Sequence, residues 1–107
     1  MALQLLYEIM GKVSRREYEL SKHAVDQSIV RNISIRELEE GFQNNPEMIE
    51  DYPQDKYGPS CLVLAVTHSG RPLHVQISYP LRPLLKIITL YEPSPTLWIE
   101  NKIRRGK

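Results

Sequence analysis

Imidazoles titrate near neutrality, so the three histidines of this chain are its best proton-transfer groups. His74 lies in the stretch Ser69-Gly70-Arg71-Pro72-Leu73-His74-Val75-Gln76-Ile77-Ser78-Tyr79. A turn opens it, and alternation follows. Leu73, Val75, Ile77 and Tyr79 share one face, and His74, Gln76 and Ser78 share the other. The apolar face covers a core, which leaves the His74 face for solvent, substrate or a partner. His23 falls near the start of a helix, and His68 falls just before a turn. Thr89 and Tyr91 belong to the last long strand, where strict alternation groups them with Leu85 and Ile87. A tyrosine beside His74 would hydrogen-bond a phosphate or tune the imidazole. Arg31, Arg71, Arg82 and Lys86 are the candidate phosphate contacts. Each of these residues also has an ordinary structural role open to it, as a surface charge or a core-edge hydrogen bonder.

Other chemistries find little support. There is no His-Glu-x-x-His motif, no cysteine pair and no glycine-rich phosphate loop, so neither metal nor cofactor is expected. Cys61 stands alone inside the most apolar strand and reads as an inert core residue. Alternation places Glu50 and Asp51 on opposite faces, the pattern of a solvated strand edge rather than of a paired acid site.

These side chains must be positioned by one domain spanning residues 1–107. Leu3, Leu6, Met10 and Val13 predict a helix over 3–13, followed by a polar link to residue 17. Tyr18-Glu19-Leu20 reads as a short extended piece. Ser21 caps a helix over 22–31, which Asn32 ends in a left-handed turn. Ser34-Ile35-Arg36-Glu37 is a capping box with Ile33 and Leu38 as its staple, and opens a third helix ending near Gln43. Alternation then predicts strands over 48–52, 73–79 and 84–91, and a run apolar throughout predicts a central strand over 61–67, covered on both sides. Pro93 and Pro95 break the last one, and 96–103 reads as a short helix or an irregular arm anchored by Trp98. Helices first and strands after give an α+β fold, with helices on one face of a four-stranded antiparallel meander.

The formal net charge of +1 conceals an asymmetry. Residues 37–70 carry seven acidic side chains and one lysine, whereas 71–107 carry seven basic and two acidic ones. A basic surface built from the two ends could meet phosphates, with an acidic belt elsewhere. No apolar run is long enough to span a bilayer, and one unpaired cysteine suits the cytoplasm.

A wider pattern runs through residues 18–105. It comprises Leu20-Ser21-x-His23-Ala24, Arg31-Asn32-Ile33-Ser34, Ile49-Glu50-Asp51-Tyr52-Pro53, Asp55, Pro59-Ser60, Gly70-Arg71-Pro72-Leu73-His74-Val75, and Thr89 and Tyr91 before Pro93 and Trp98. In order and spacing it resembles the bacterial domain-of-unknown-function family 4258. The resemblance implies a place among the RelE, barnase, EndoU and colicin group of metal-independent ribonuclease folds. It implies an RNA-cleaving toxin, often encoded beside a small antitoxin protein. His23 and His74 fall on the family's histidine positions, Arg31 on its helix arginine, and Thr89 and Tyr91 on its last-strand motif. Gln27 stands where the family commonly has arginine, and Asn32 where it has glycine. The expectation is a ribonuclease using His74, His23 and Tyr91, with Arg31, Arg71, Thr89 and Lys86 on the substrate. The alternative is a non-catalytic protein-binding module of the same fold.

Overall fold

The computed structural model describes residues 2–56 and 58–106; Met1, Tyr57 and Lys107 lie outside the described residues. Three helices come first: α1 (Ala2–Ser14), α2 (Lys22–Val30) and α3 (Ile35–Gln43). The short strand β1 (Tyr18–Leu20) lies between α1 and α2. Strands β2 (Glu47–Tyr52), β3 (Ser60–Val66), β4 (Pro72–Ser78) and β5 (Leu85–Tyr91) follow, then a small hairpin of β6 (Trp98–Ile99) and β7 (Ile103–Arg104). No described helix is long and apolar enough to cross a membrane.

Local signals in the sequence account for the helix boundaries. The Ser21 hydroxyl accepts from the Ala24 amide and so caps α2. Ser34 and Glu37 form the reciprocal capping box of α3. Asn32 adopts φ 54°, the left-handed conformation that asparagine tolerates at a helix end. α1 belongs to the core, because Leu6, Ile9 and Val13 are buried against the sheet and its neighbours.

The main sheet differs from the antiparallel meander expected of it. It has five strands in the order β1-β5-β4-β3-β2, and β1 pairs with β5 in parallel. The capped start of α2 explains the addition. The Ser21 amide donates to the Ile87 carbonyl at 2.9 Å and its hydroxyl donates to the Ile88 carbonyl at 2.8 Å, which draws Tyr18–Leu20 onto the open edge of β5. The other four strands pair antiparallel.

Two bulges decide which side chains share a face. In β2, Ile49 is the extra residue, so Met48 opposes Val63 and Glu50 opposes Leu62. Val63 pairs with Val75 on the helix-covered face, and Leu62 pairs with Gln76 on the other. The bulge therefore turns Glu50 onto the His74 face while Met48 stays on the core. In β5 the extra residue is Ile88. Ile87 and Leu90 both enter the core, and Thr89 and Tyr91 oppose Gln76 and His74. Strict alternation had placed Thr89 and Tyr91 with Leu85 and Ile87; the bulge separates the two pairs.

The region 96–103 is neither helical nor irregular. Ile99–Lys102 closes a tight turn in which Glu100 and Asn101 have φ 51° and 64°. Primed hairpin turns require positive φ at both central positions, and asparagine accepts it at low cost. Trp98 and Arg104 pair across this hairpin on the side facing the main sheet, and Ile99 and Ile103 pair on the outward side.

α3 approaches β3 closely at Gly41, where an added Cβ would stand 2.6 Å from the Ala65 Cβ and 3.1 Å from its carbonyl carbon. Overpacking of a rigid contact costs about 1–3 kcal/mol. Gly41→Ala is expected to lower unfolding free energy by about that amount in urea melts, and Ala65→Gly in the same chain is expected to recover part of the loss.

Candidate functional site

The sheet face away from the helices carries His74, Gln76, Thr89 and Tyr91, joined by Glu50 and Tyr52 from the bulged edge strand. Periodicity leaves this face open. At His74 it is closed, and the side chain is 0% exposed. The C-terminal hairpin lies over it. The Trp98 ring meets the imidazole edge-on, with centroids 4.4 Å apart and planes at 88°. Tyr91 packs on it at 5.2 Å and 64°.

Both imidazole nitrogens are engaged. Nε2 is 2.6 Å from the Asn101 carbonyl oxygen, and Nδ1 is 3.2 Å from the Tyr91 hydroxyl. A carbonyl oxygen only accepts, so Nε2 carries the proton; in the neutral ring that burial favours, Nδ1 then accepts from the Tyr91 hydroxyl. This is the neutral tautomer. Burial lowers the His74 pKa below its ordinary value, against the opposing pull of the Asn101 carbonyl and the Glu50 charge. Burial likewise raises the Tyr91 phenol, while Arg104 and Arg31 charges oppose it.

Glu50 anchors the neighbouring charge network. It accepts from the Tyr52 hydroxyl and, at 3.0 and 3.2 Å, from Nε and Nη2 of Arg104. Burial pushes this carboxyl up, but the Tyr52 and Arg104 hydrogen bonds and nearby positive charge outweigh it and hold it below the usual range. Burial and the hydrogen bond to Glu50 push the Tyr52 phenol up to about 12, against the opposing pull of Arg104. The Arg104 guanidinium sits 4.6 Å over the Trp98 ring, so one side chain holds both the hairpin's own aromatic and the edge strand. An open depression of about 460 Å³, lined by Glu50, Asp51, Tyr52 and Arg104, borders the cluster. At the far end of the same face, a groove of about 470 Å³ runs past Ser78, Lys86, Arg82 and Asp55.

The remaining sequence candidates separate. His23 is exposed on α2, whose buried neighbour Ala24 sits in the helix-side core. No hydrogen bond, ion pair or ring contact among the described residues joins His23 to His74. His23 thus stands apart from the contacts that enclose His74. Arg31 is exposed, donates through Nε to Gln27 at 2.7 Å, and lies near enough to Tyr91 to act on its phenol electrostatically. Gln27 thus restrains the arginine beside it.

Arg71 is absorbed by the fold. Nη1 donates to the Asn32 carbonyl at 2.9 Å and to Glu37 at 3.1 Å, Nη2 donates to the Arg31 carbonyl at 3.0 Å, and Nε donates to Glu92 at 3.0 Å. It clamps the α2–α3 turn to β4 and the end of β5, which leaves little of its fork for a phosphate. Lys86 is exposed and paired with Glu19 at 3.3 Å. Thr89 is half-buried opposite Gln76, whose amide donates to Ser60 at 3.1 Å. Burial pushes the Cys61 thiol up to about 12, consistent with an inert core residue. Among the described residues no three His, Cys, Asp or Glu side chains gather to hold a metal ion.

Sequence reasoning missed Glu50, Tyr52, Asn101 and Arg104. The i, i+2 spacing of Glu50 and Tyr52 places them on one face, a usable signal. The face they share with His74 depends on a bulge that composition does not announce. Asn101 acts through its carbonyl, which leaves no trace in residue type.

Neutral burial of His74 makes stability depend on pH. A folded pKa below the unfolded value means that the unfolded chain binds the proton first. The contribution is complete above the ordinary value of 6.5 and is lost as pH falls from there through the folded pKa. Urea melts at pH 8 and pH 5.5 are expected to show wild type losing more stability on acidification than His74→Gln. Equal losses would mean that the imidazole titrates normally inside the fold.

A comparison with curated proteins and another with solved structures each found no match. A family model described as Domain of unknown function (DUF4258) matches residues 20–92. This stretch contains α2 through β5, with His23, Arg31, Glu50, His74 and Tyr91; α1 and the C-terminal hairpin lie outside it. With most of its length matched, the chain belongs to the DUF4258 family.

Proposed function

We propose that this protein is a metal-independent endoribonuclease of the RelE/barnase-like group, acting as the toxin of a bacterial toxin–antitoxin pair in the cytoplasm. The observation that carries the reading is the juxtaposition of His74 and Glu50 on one sheet face, close enough to bias each other's ionisation. The four antiparallel strands β2–β5 under N-terminal helices support the fold assignment.

RNA cleavage without metal needs a base for the 2′-hydroxyl, an acid for the leaving oxygen and a cation for the phosphate. Glu50 is already held ionised and takes the proton from the 2′-hydroxyl. The 2′-oxygen attacks the adjacent phosphorus, and the bond to the 5′-oxygen breaks. His74 donates its proton to that oxygen, leaving a 2′,3′-cyclic phosphate and a 5′-hydroxyl. Burial, and after it the Arg104 charge, depress His74, so water and a phosphate anion beside it, with Arg104 drawn away, would restore the imidazolium that serves as acid. Tyr91 holds Nδ1, and Arg31, beside Tyr91, supplies positive charge. His23 has no part in this scheme.

A second reading rests on one specific observation. His74 is fully enclosed with both nitrogens satisfied, which is how a structural histidine looks. In that case the face is a scaffold, and the protein is a non-catalytic binding module.

Induced expression separates the two. Wild type is expected to arrest growth and fragment RNA, and the purified protein is expected to cleave RNA in the presence of chelator. His74→Ala and Glu50→Gln should each lower the rate by about 10²-fold or more, with His23→Ala near wild type. Intact RNA and equal growth in all of them would leave the binding module.

A further inference from the structure

We infer that the C-terminal hairpin occupies, in cis, a nucleotide site on the His74 face, so that single-stranded RNA and the hairpin compete for the same cleft. The inference rests on the ribonuclease reading and adds what covers the site and what displaces the cover.

Three features of the hairpin correspond to parts of a nucleotide. The Trp98 indole is a flat heterocycle set edge-on to His74 and only 3% exposed, a seat that suits a nucleobase. The Asn101 carbonyl oxygen accepts from Nε2 at 2.6 Å, the contact that a phosphate oxygen would make during proton transfer. Arg104 neutralises Glu50, the base of the proposed reaction, and must leave it before the carboxylate can act.

The hairpin is built to detach. Its backbone hydrogen bonds are internal: Trp98 to Ser94, Lys102 to Ile99, and Arg105 to Leu97. Among the described residues no backbone–backbone bond ties it to the main sheet. It is held by Trp98, by one carbonyl, by the two-pronged Arg104–Glu50 pair at 3.0 and 3.2 Å, whose carboxylate is part-buried, and by the exposed Lys102–Glu47 pair at 3.1 Å. The exposed Lys102–Glu47 pair holds weakly, and salt screens both pairs in part. Pro93, Ser94 and Pro95 link it to β5, and the buried Pro93 fixes the point from which it swings. Displacement would return His74 to solvent and free Glu50 together.

Binding of a short fluorescent oligoribonucleotide with 2′-O-methyl sugars, which cannot be cleaved, tests this by anisotropy. Trp98→Ala in the full chain is expected to bind about 10-fold or more tightly than wild type, since the competent fraction rises. Adding His74→Ala to that variant should remove the gain. Should Trp98→Ala fail to melt cooperatively, Lys102→Gln/Arg104→Gln decides. It cuts both ion pairs and leaves Trp98 in place, with about 3-fold tighter binding expected despite the lost positive charge. Unchanged or weaker binding in the folded variants would overturn the inference. Tighter binding without cleavage by any variant would support the site and defeat the ribonuclease reading. Cleavage without any change in binding would do the reverse.

Discussion

The neutral imidazole of His74, held between a carbonyl and a phenol, ties the sheet to the C-terminal hairpin. Its Nε2–H bond to Asn101 fixes the hairpin turn, and its Nδ1 bond to Tyr91 registers β4 against β5. An unpaired buried imidazole nitrogen would carry the desolvation cost of a lost hydrogen bond, about 1–3 kcal/mol. That cost makes the two partners mutually dependent. Without the hairpin, His74 would face water; without His74, the Asn101 carbonyl and the Trp98 ring would lose their seat.

Around this contact the chain divides its labour between two faces. The helix-side face is apolar and sealed, with Leu73, Val75, Ile77, Ile87 and Leu90 under α1–α3. The other face carries His74, Glu50 and Tyr91 and is covered at His74 by the small C-terminal hairpin. Arg71 links the two halves: by holding the Arg31 and Asn32 carbonyls it sets where α2 ends, and hence where Arg31 stands relative to Tyr91. Its role as a clamp follows from the planar fork of guanidinium, which serves several oxygens that a lysine ammonium could not reach together.

Much of the frame was legible in the residues. The capping box at Ser34, the left-handed Asn32, the extended piece at Tyr18–Leu20 and the four long strands all follow from local rules, and all appear. Long-range or irregular features were not legible. The parallel pairing of β1 depends on where α2 docks, which no window of sequence contains. The bulges at Ile49 and Ile88 break the alternation that assigns faces, so Glu50 gave no sign of standing with His74, and Thr89 and Tyr91 were grouped with the wrong neighbours. The hairpin escaped because its strands are only two residues each, too short for a period to be read. As a result the polar face of β4 was expected to be open, when its central histidine is covered.

If the hairpin and RNA compete, one cleft serves both Trp98 and RNA. Nuclear Overhauser contacts between the Trp98 indole and the His74 ring measure this directly, since the rings lie within contact distance in the free protein. On saturation with a non-cleavable oligoribonucleotide, these contacts should vanish and be replaced by contacts between His74 and the RNA. Retention of the Trp98–His74 contacts with RNA bound elsewhere would contradict the account.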